Sequence, residues 1–122
     1  MDLRWSRNLA TTPNFTSIPK LEVLNREGCE NLVEIHLSIA FLKWLTNLIL
    51  NGCKSVKSLP RNLEMDSLVH FSLSGCSKVK KIPEFSGEMK NLLMLNLGGT
   101  SIENLPSSVG CLVGLTSLSL SN

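Results

Sequence analysis

Leucine recurs along the chain in one spaced pattern, Leu-x-x-Leu-x-Leu, at a nearly constant interval. The copies begin at Leu21, Leu45, Leu68, Leu92 and Leu115, so the steps are 24, 23, 24 and 23 residues. Apolar and polar positions alternate within each copy, which is the period of a β-strand with one buried side. Each copy therefore predicts a short strand, and neighbouring copies would pair these strands in parallel.

A period in the low twenties that begins with a strand is typical of leucine-rich repeats, in which each coil stacks on the next. The interval predicts an α/β, right-handed leucine-rich repeat solenoid. It would be curved, with one parallel sheet on the concave side and irregular or short helical returns on the convex side. We predict a single domain, 1–122, made of a partial coil one (1–20), coils two to five (21–44, 45–67, 68–91, 92–114) and a truncated coil six (115–122).

The same residue types recur at equivalent positions after the strand of each coil. Glycine follows the strand at Gly28, Gly52, Gly75 and Gly99, where it would permit a sharp inward turn. A Leu-Pro or Ile-Pro step begins at Leu59, Ile82 and Leu105 and should bury one more apolar side chain. A later apolar residue, at Leu42, Leu63, Met89 and Leu112, should tie each return to the core. In coil one, Leu3, Ser6, Leu9 and Pro13 fit the same frame.

Arg26 breaks the pattern in coil two. It occupies the inward strand position that leucine holds at Leu50, Leu73, Leu97 and Leu120. Burial of an unpaired guanidinium is costly. We therefore expect either that the Arg26 side chain reaches the edge of the core or that coil two is locally distorted.

Cysteine occupies one position of three successive coils, at Cys29, Cys53 and Cys76. A zinc ion needs ligands that converge on one point, usually from paired Cys-x-x-Cys motifs, whereas these cysteines would form a row. Thr100 takes the same position in coil five. We predict structural turn residues at Cys29, Cys53, Cys76 and Thr100, and no metal site.

Catalytic chemistry is not indicated elsewhere. His36 and His70 fall at different positions of their coils, which is weak evidence for a catalytic arrangement. The frame of a phosphate-binding loop is absent. We expect no enzyme activity and no cofactor.

Composition and charge limit the partners and the cellular compartment that we expect for the chain. A net charge of +2 gives no reason to propose nucleic acid as a partner. No apolar run is long enough to cross a membrane, and the amino terminus lacks the apolar segment of a signal peptide. Four cysteines without an export signal indicate reduced thiols, so we expect a cytoplasmic protein, with the nucleus as the alternative compartment.

The outward strand positions form columns of small polar and apolar residues with almost no charge. Such a surface suits protein partners better than nucleic acid. The candidate protein-binding residues on this concave surface are Val23, Asn25, Asn47, Ile49, Val69, His70, Ser72, Leu93, Met94 and Asn96.

Lysines gather just past the turns of coils three and four, at Lys54, Lys57, Lys78, Lys80 and Lys81. Coil two carries Glu30 and Glu34 over the same stretch, and coil five carries Glu103. The lysines form either a solvated face or a patch for an acidic partner, and the pattern leaves both open.

Four segments, LEVLNREGCENLVEIHLSI, LILNGCKSVKSLP, FSLSGCSKVKKIPEFSGEMKNL and LNLGGTSIENLPSSVGCL, closely resemble repeats of plant disease-resistance proteins. The class is the one with Toll/interleukin-receptor, nucleotide-binding and leucine-rich-repeat (TIR-NB-LRR) regions. The resemblance covers essentially the whole chain. It implies signal transduction in plant innate immunity, with repeats that sense a pathogen effector or a host guardee and help to hold the receptor's nucleotide switch inactive. It also implies protein partners, with no nucleic acid, membrane or small molecule.

Other classes are less well supported. Substrate adaptors of ubiquitin ligases also favour cysteine at this position, but their repeats are longer and lack the Leu-Pro step. Arg26 and Leu37 depart from the resistance-protein pattern, which leaves a non-functional partial gene product as a further alternative.

Overall fold

The computed structural model describes residues 10–12, 14–86 and 89–120. Leu3, Ser6, Leu9 and Pro13, which we assigned to coil one, lie outside the described residues. The strands are β1 (Val23–Asn25), β2 (Asn47–Ile49), β3 (Asn62–Leu63), β4 (His70–Ser72), β5 (Glu84–Phe85), β6 (Met94–Asn96) and β7 (Ser117–Ser119). The helices are 3-10 turns: η1 (Phe15–Ser17), η2 (Leu37–Phe41) and η3 (Ser107–Cys111).

The main sheet has five parallel strands in the order β1-β2-β4-β6-β7. Each strand pairs with the equivalent residues of the next leucine copy, so that Leu24, Leu48, Phe71, Leu95 and Leu118 follow one another across the sheet. The predicted strands and their parallel pairing are confirmed. Parallel strands joined by 3-10 or irregular segments make an α/β arrangement compatible with a leucine-rich-repeat-like fold.

The inward strand positions form the core. Leu48, Leu50, Phe71, Leu73, Leu95 and Leu97 are all buried, as are the later apolar residues Leu42, Leu63, Met89 and Leu112. Burial of one such side chain stabilises the fold by about 1.5–3 kcal/mol. The proline-step residues are less uniform, because Ile82 is buried whereas Leu59 and Leu105 are half-buried.

Leu118, in β7, and Leu120, which follows it, are less buried than the inward leucines of the other strands. Leu118 is 41% exposed and Leu120 is 49% exposed, although both take inward positions of the repeat. β7 is the last strand of the sheet, and no described strand packs over its far side. Its side chains therefore point in the predicted direction but lack a covering layer.

Glycine makes the turn after each strand. Gly28, Gly52, Gly75 and Gly99 have φ angles of 75°, 74°, 79° and 72°, in the left-handed region that side chains disfavour. The amide of Gly52 donates to Ser74 O at 2.7 Å and that of Gly75 to Gly98 O at 2.8 Å. The predicted turns are confirmed, and they extend the hydrogen-bond ladder beyond the strands.

The returns, which connect one main-sheet strand to the next, contain short helical turns and a second small sheet. The coil-two and coil-five returns form the short helical turns η2 and η3, in line with the predicted irregular or short helical returns. In coils three and four, β3 and β5 form a second, two-stranded parallel sheet, which the alternation did not predict. Among the described residues, no helix has the length and apolar character needed to cross a membrane.

Candidate functional site

The candidate binding surface is the side of the main sheet opposite the leucine core. Its exposed apolar residues are Val23 at 42%, Leu93 at 41% and Met94 at 44%, and Ile49 and Val69 are half-buried. None of the ten candidate residues is Lys, Arg, Asp or Glu. A surface with few charges and scattered apolar groups resembles the centre of a protein–protein interface more than its rim.

The apolar residues are not spread evenly over this surface. Leu93 and Val69 lie side by side, because the Leu93 amide donates to Val69 O at 2.8 Å, and Met94 follows Leu93 directly. His70 is the register partner of Met94, and it is half-buried. We call Val69, Leu93 and Met94 the strand patch, because these three form its continuous apolar part.

Ser72 does not belong to the accessible surface. It is 8% exposed, and its hydroxyl donates to Asn51 Oδ1. The Ser72 hydroxyl also accepts from the amide of Ser74 at 3.4 Å. Our assignment of Ser72 to the binding surface is therefore wrong. Asn51 lies in the turn beyond the strand, and the strand alternation gave no signal for its role.

Two of the asparagines on this side also serve the turns. Asn25 Oδ1 accepts from the amide of Glu27 at 3.1 Å, and Asn96 Oδ1 accepts from the amide of Gly98 at 3.0 Å. These bonds fix the side chains over the turn that follows each strand. Asn25 and Asn96 remain half-buried, and only their remaining polar atoms are left to meet a partner.

The cysteine row lies behind the turns, inside the core. Cys53 Sγ donates to Arg26 O at 2.8 Å, and Cys76 Sγ donates to Leu50 O at 3.0 Å. Each of these thiols thus bonds a carbonyl of the preceding coil. Thr100 Oγ1 instead donates to Leu97 O of its own coil at 2.7 Å.

Burial keeps these thiols protonated. It raises the pKa of Cys53 from 9.0 to about 12 and the pKa of Cys76 from 9.0 to about 11. The thiolate is the form that binds metals and attacks electrophiles, so both residues are chemically quiet near neutral pH. Among the described residues no group of three His, Cys, Asp or Glu side chains is placed to hold a metal ion. Cys111 lies apart from the row and is exposed.

Arg26 is fully buried in the core of coil two. Its Nε, Nη1 and Nη2 find no hydrogen-bond partner within the described parts of the chain. The backbone is regular here, since the Arg26 amide donates to Ile49 O at 2.9 Å and continues the β1–β2 pairing. Both expectations for Arg26 are therefore wrong: its side chain does not reach the edge, and its strand is not distorted.

The two histidines serve different elements. His36 caps η2, where its Nδ1 accepts from the amide of Ser38 at 3.1 Å, and its own amide donates to Thr12 Oγ1 at 2.6 Å. His70 lies in β4, on the strand surface. The structure brings neither histidine to a cysteine of the row.

Comparison with known proteins gives a consistent set of relatives. The chain is 39% identical over 109 residues to TMV resistance protein N of Nicotiana glutinosa, a match that covers 89% of this chain and 9% of that protein. It is 34% identical over 120 residues to disease resistance protein RPP2A of Arabidopsis thaliana, covering 98% of this chain and 9% of the relative.

A third relative is the Arabidopsis thaliana protein SUPPRESSOR OF npr1-1, CONSTITUTIVE 1. It is 35% identical over 108 residues, which are 88% of this chain and 7% of that protein. The chain thus spans less than a tenth of the length of these relatives. No protein-family model matches it.

Proposed function

This chain is a homologue of plant disease resistance proteins of the TIR-NB-LRR class, consistent with a leucine-rich repeat region of such a protein, and on that premise we propose that it is a protein-binding segment of an intracellular immune receptor. The relatives support a role in plant defence. In this proposal the segment recognises a pathogen effector, or a host protein that the effector modifies. It also contributes contacts that hold the receptor inactive.

The proposed architecture is a right-handed leucine-rich repeat solenoid with the main sheet on its concave side. The register supports it, because each strand pairs with the equivalent strand of the next leucine copy. A second support is the stacking of the glycine turns, which places Gly52 and Gly75 backbones within 3.4 Å of an added Cβ. Such a stack presents an extended surface, and extended surfaces of this kind bind proteins.

The observation that carries the proposal is the strand patch. Val69, Leu93 and Met94 form a continuous apolar area on a side of the sheet that lacks charged candidate residues. Apolar groups surrounded by neutral polar ones are what a protein partner can desolvate at small cost. We propose a protein partner with no catalytic step, no cofactor, no nucleic acid and no membrane contact, in the cytoplasm or nucleus.

The proposal can be tested with a yeast two-hybrid screen of secreted effector proteins from plant pathogens against the chain. We expect the screen to yield an effector that binds the chain. Leu93→Arg or Met94→Arg should abolish this binding, because a guanidinium placed in a desolvated contact lacks a partner. Val113→Arg is the matched control, since Val113 is 77% exposed and lies outside the strands. It should leave binding intact.

Two results would count against the proposal. One is a screen that yields no effector. The other is an effector whose binding survives both strand-patch changes or is equally lost in the Val113→Arg control.

A further inference from the structure

The fold places basic residues of coils three and four in two separate hollows on the surface. Lys57, Arg61, Lys80 and Lys81 line one groove of about 470 Å³. Lys54 instead lines a different hollow together with Glu27 and Glu30. We call the first site the basic groove and define it by Lys57, Arg61, Lys80 and Lys81.

The cations of the basic groove are exposed and uncompensated. Within the described ranges, none of the four side chains makes an ion pair or a side-chain hydrogen bond; the ion pair seen there joins Lys43 to Asp66 at 3.7 Å. Glu84 is the one carboxylate that lines the groove. Four cations against one carboxylate create a positive potential that favours an anionic partner.

The walls of the groove are partly apolar. Leu59, Pro60, Ile82 and Pro83 come from the two proline steps and lie between the basic side chains. No aromatic residue lines the groove, so bases would find no stacking platform. Carboxylates interspersed with apolar side chains fit these walls better than a chain of phosphates.

The groove continues toward coil five. An adjoining hollow of about 700 Å³ shares Lys80, Lys81, Ile82 and Glu84 and is also lined by Glu103. On the other side, Glu34 of coil two lies beside Ser58 of coil three through a parallel bridge. Acidic residues thus border the positive region at both ends and limit its length to about two coils.

We propose that the basic groove binds an extended acidic segment of a protein partner. Its Asp and Glu carboxylates would meet Lys57, Arg61, Lys80 and Lys81, and its apolar residues would lie against the half-buried Leu59. This surface is separate from the strand patch and does not depend on the role proposed for it. Of the lysines of coils three and four it assigns Lys57, Lys80 and Lys81 to a partner, whereas Lys54, Lys78 and Lys90 do not line the groove.

The test uses the purified chain and a fluorescent peptide of about ten residues, which spans ~33 Å when extended. The peptide carries alternating glutamates and serines with two leucines. A matched peptide has glutamine in place of every glutamate. Fluorescence anisotropy is measured at low ionic strength and again at about 0.15 M salt, where charges are screened over ~8 Å.

We expect the acidic peptide to bind and the glutamine peptide not to bind. The double change Lys80→Glu with Lys81→Glu should weaken binding about tenfold or more, because it reverses the charge of the groove. Lys54→Glu makes a similar exposed change outside the groove and should alter affinity by less than about twofold. Binding should also weaken at the higher salt concentration.

The proposal is overturned if Lys54→Glu weakens binding as much as the double change, or if the glutamine peptide binds equally well. It is also overturned if a single-stranded RNA of equal charge, or vesicles of anionic lipid, bind more tightly than the peptide. Circular dichroism verifies folding, and the pair Lys57→Glu with Arg61→Glu gives a second version of the test. Leu93→Arg should retain peptide binding, so failure at the strand patch and failure at the groove are distinguishable.

Discussion

At the scale of single residues, Arg26 is the least favourable feature of the chain. Its guanidinium is fully buried, and its three nitrogens lack hydrogen-bond partners within the described residues. The sequence pattern identified the position but not the outcome. The backbone hydrogen bonds of β1 and β2 hold the strand in register, so the side chain is carried into the core.

Replacement of Arg26 by leucine should stabilise the chain. The change removes unsatisfied buried donors, each of which costs about 1–3 kcal/mol, and restores the residue type of the same position in other coils. Urea unfolding monitored by circular dichroism should show a higher midpoint for Arg26→Leu. Leu73→Arg places an unpaired guanidinium at the same inward position of coil four and should lower the midpoint. An equal or lower midpoint for Arg26→Leu would contradict the assignment of Arg26 to the core.

The buried thiols predict a dependence of stability on pH. The pKa values of Cys53 and Cys76, about 12 and about 11, lie above the 9.0 of an unperturbed thiol, so the folded state holds the protons more tightly. Their contribution to stability is therefore complete below pH 9 and is lost as the pH rises toward 11–12. At about pH 10 the loss should be on the order of 1 kcal/mol per thiol.

This pH effect can be isolated by comparing urea midpoints at about pH 8 and about pH 10. Cys53→Ala should show a smaller loss of stability between the two conditions than the unmodified chain. Cys111→Ala should keep the full loss, because Cys111 is exposed. Identical pH dependence in all three proteins would show that the buried thiols do not contribute.

At the scale of elements, the stacked glycine turns determine how closely the coils can approach. A Cβ added at Gly75 would lie 3.4 Å from Gly52 Cα, and one added at Gly99 would lie 3.2 Å from Gly75 Cα. The turns thus require glycine for two reasons: the left-handed backbone and the close approach of the neighbouring turn.

Gly75→Ala should destabilise the chain by roughly 1–2 kcal/mol, the cost of a left-handed backbone at a residue with a Cβ. Gly110→Ala is the control. Gly110 lies in η3, without a left-handed φ, and a Cβ there would meet nothing within 4 Å. Urea unfolding should show a lower midpoint for Gly75→Ala and an unchanged or slightly higher one for Gly110→Ala; equal midpoints would refute the role of the turn.

The elements also show where sequence reasoning succeeds and where it stops. Strand positions and turns follow from alternation and glycine spacing within one coil, and the register follows from the nearly constant interval between coils. The β3–β5 pairing was missed because it depends on contacts between returns of different coils. The burial of Ser72 was missed for a related reason, since its hydroxyl donates to a side chain of the preceding coil.

At the scale of the whole molecule, the described sheet ends at β7 in an open edge beside exposed leucines. Leu118 and Leu120 are largely exposed there, and the backbone edge of β7 has no further strand beside it in the described sheet. Exposed apolar residues next to an unpaired strand edge favour association between chains.

We therefore expect the isolated chain to self-associate through β7. Leu118→Lys together with Leu120→Lys should shift it toward monomer in sedimentation velocity experiments, because charged edge residues oppose strand pairing. Val113→Lys adds a lysine at another exposed apolar position and should leave association unchanged. A monomeric unmodified chain, or equal effects of the two changes, would contradict this expectation.

The order of strands in the sheet also determines how the chain responds to tension. β1 and β7 lie at opposite edges, and each strand pairs only with its neighbours in the order β1-β2-β4-β6-β7. A force applied to the two edges acts across the strands, so every strand pair carries the same load and the weakest pair opens first. Each coil released adds ~80 Å of chain, at ~3.3–3.6 Å per residue. Extension under tension should therefore proceed coil by coil, in steps of nearly equal length.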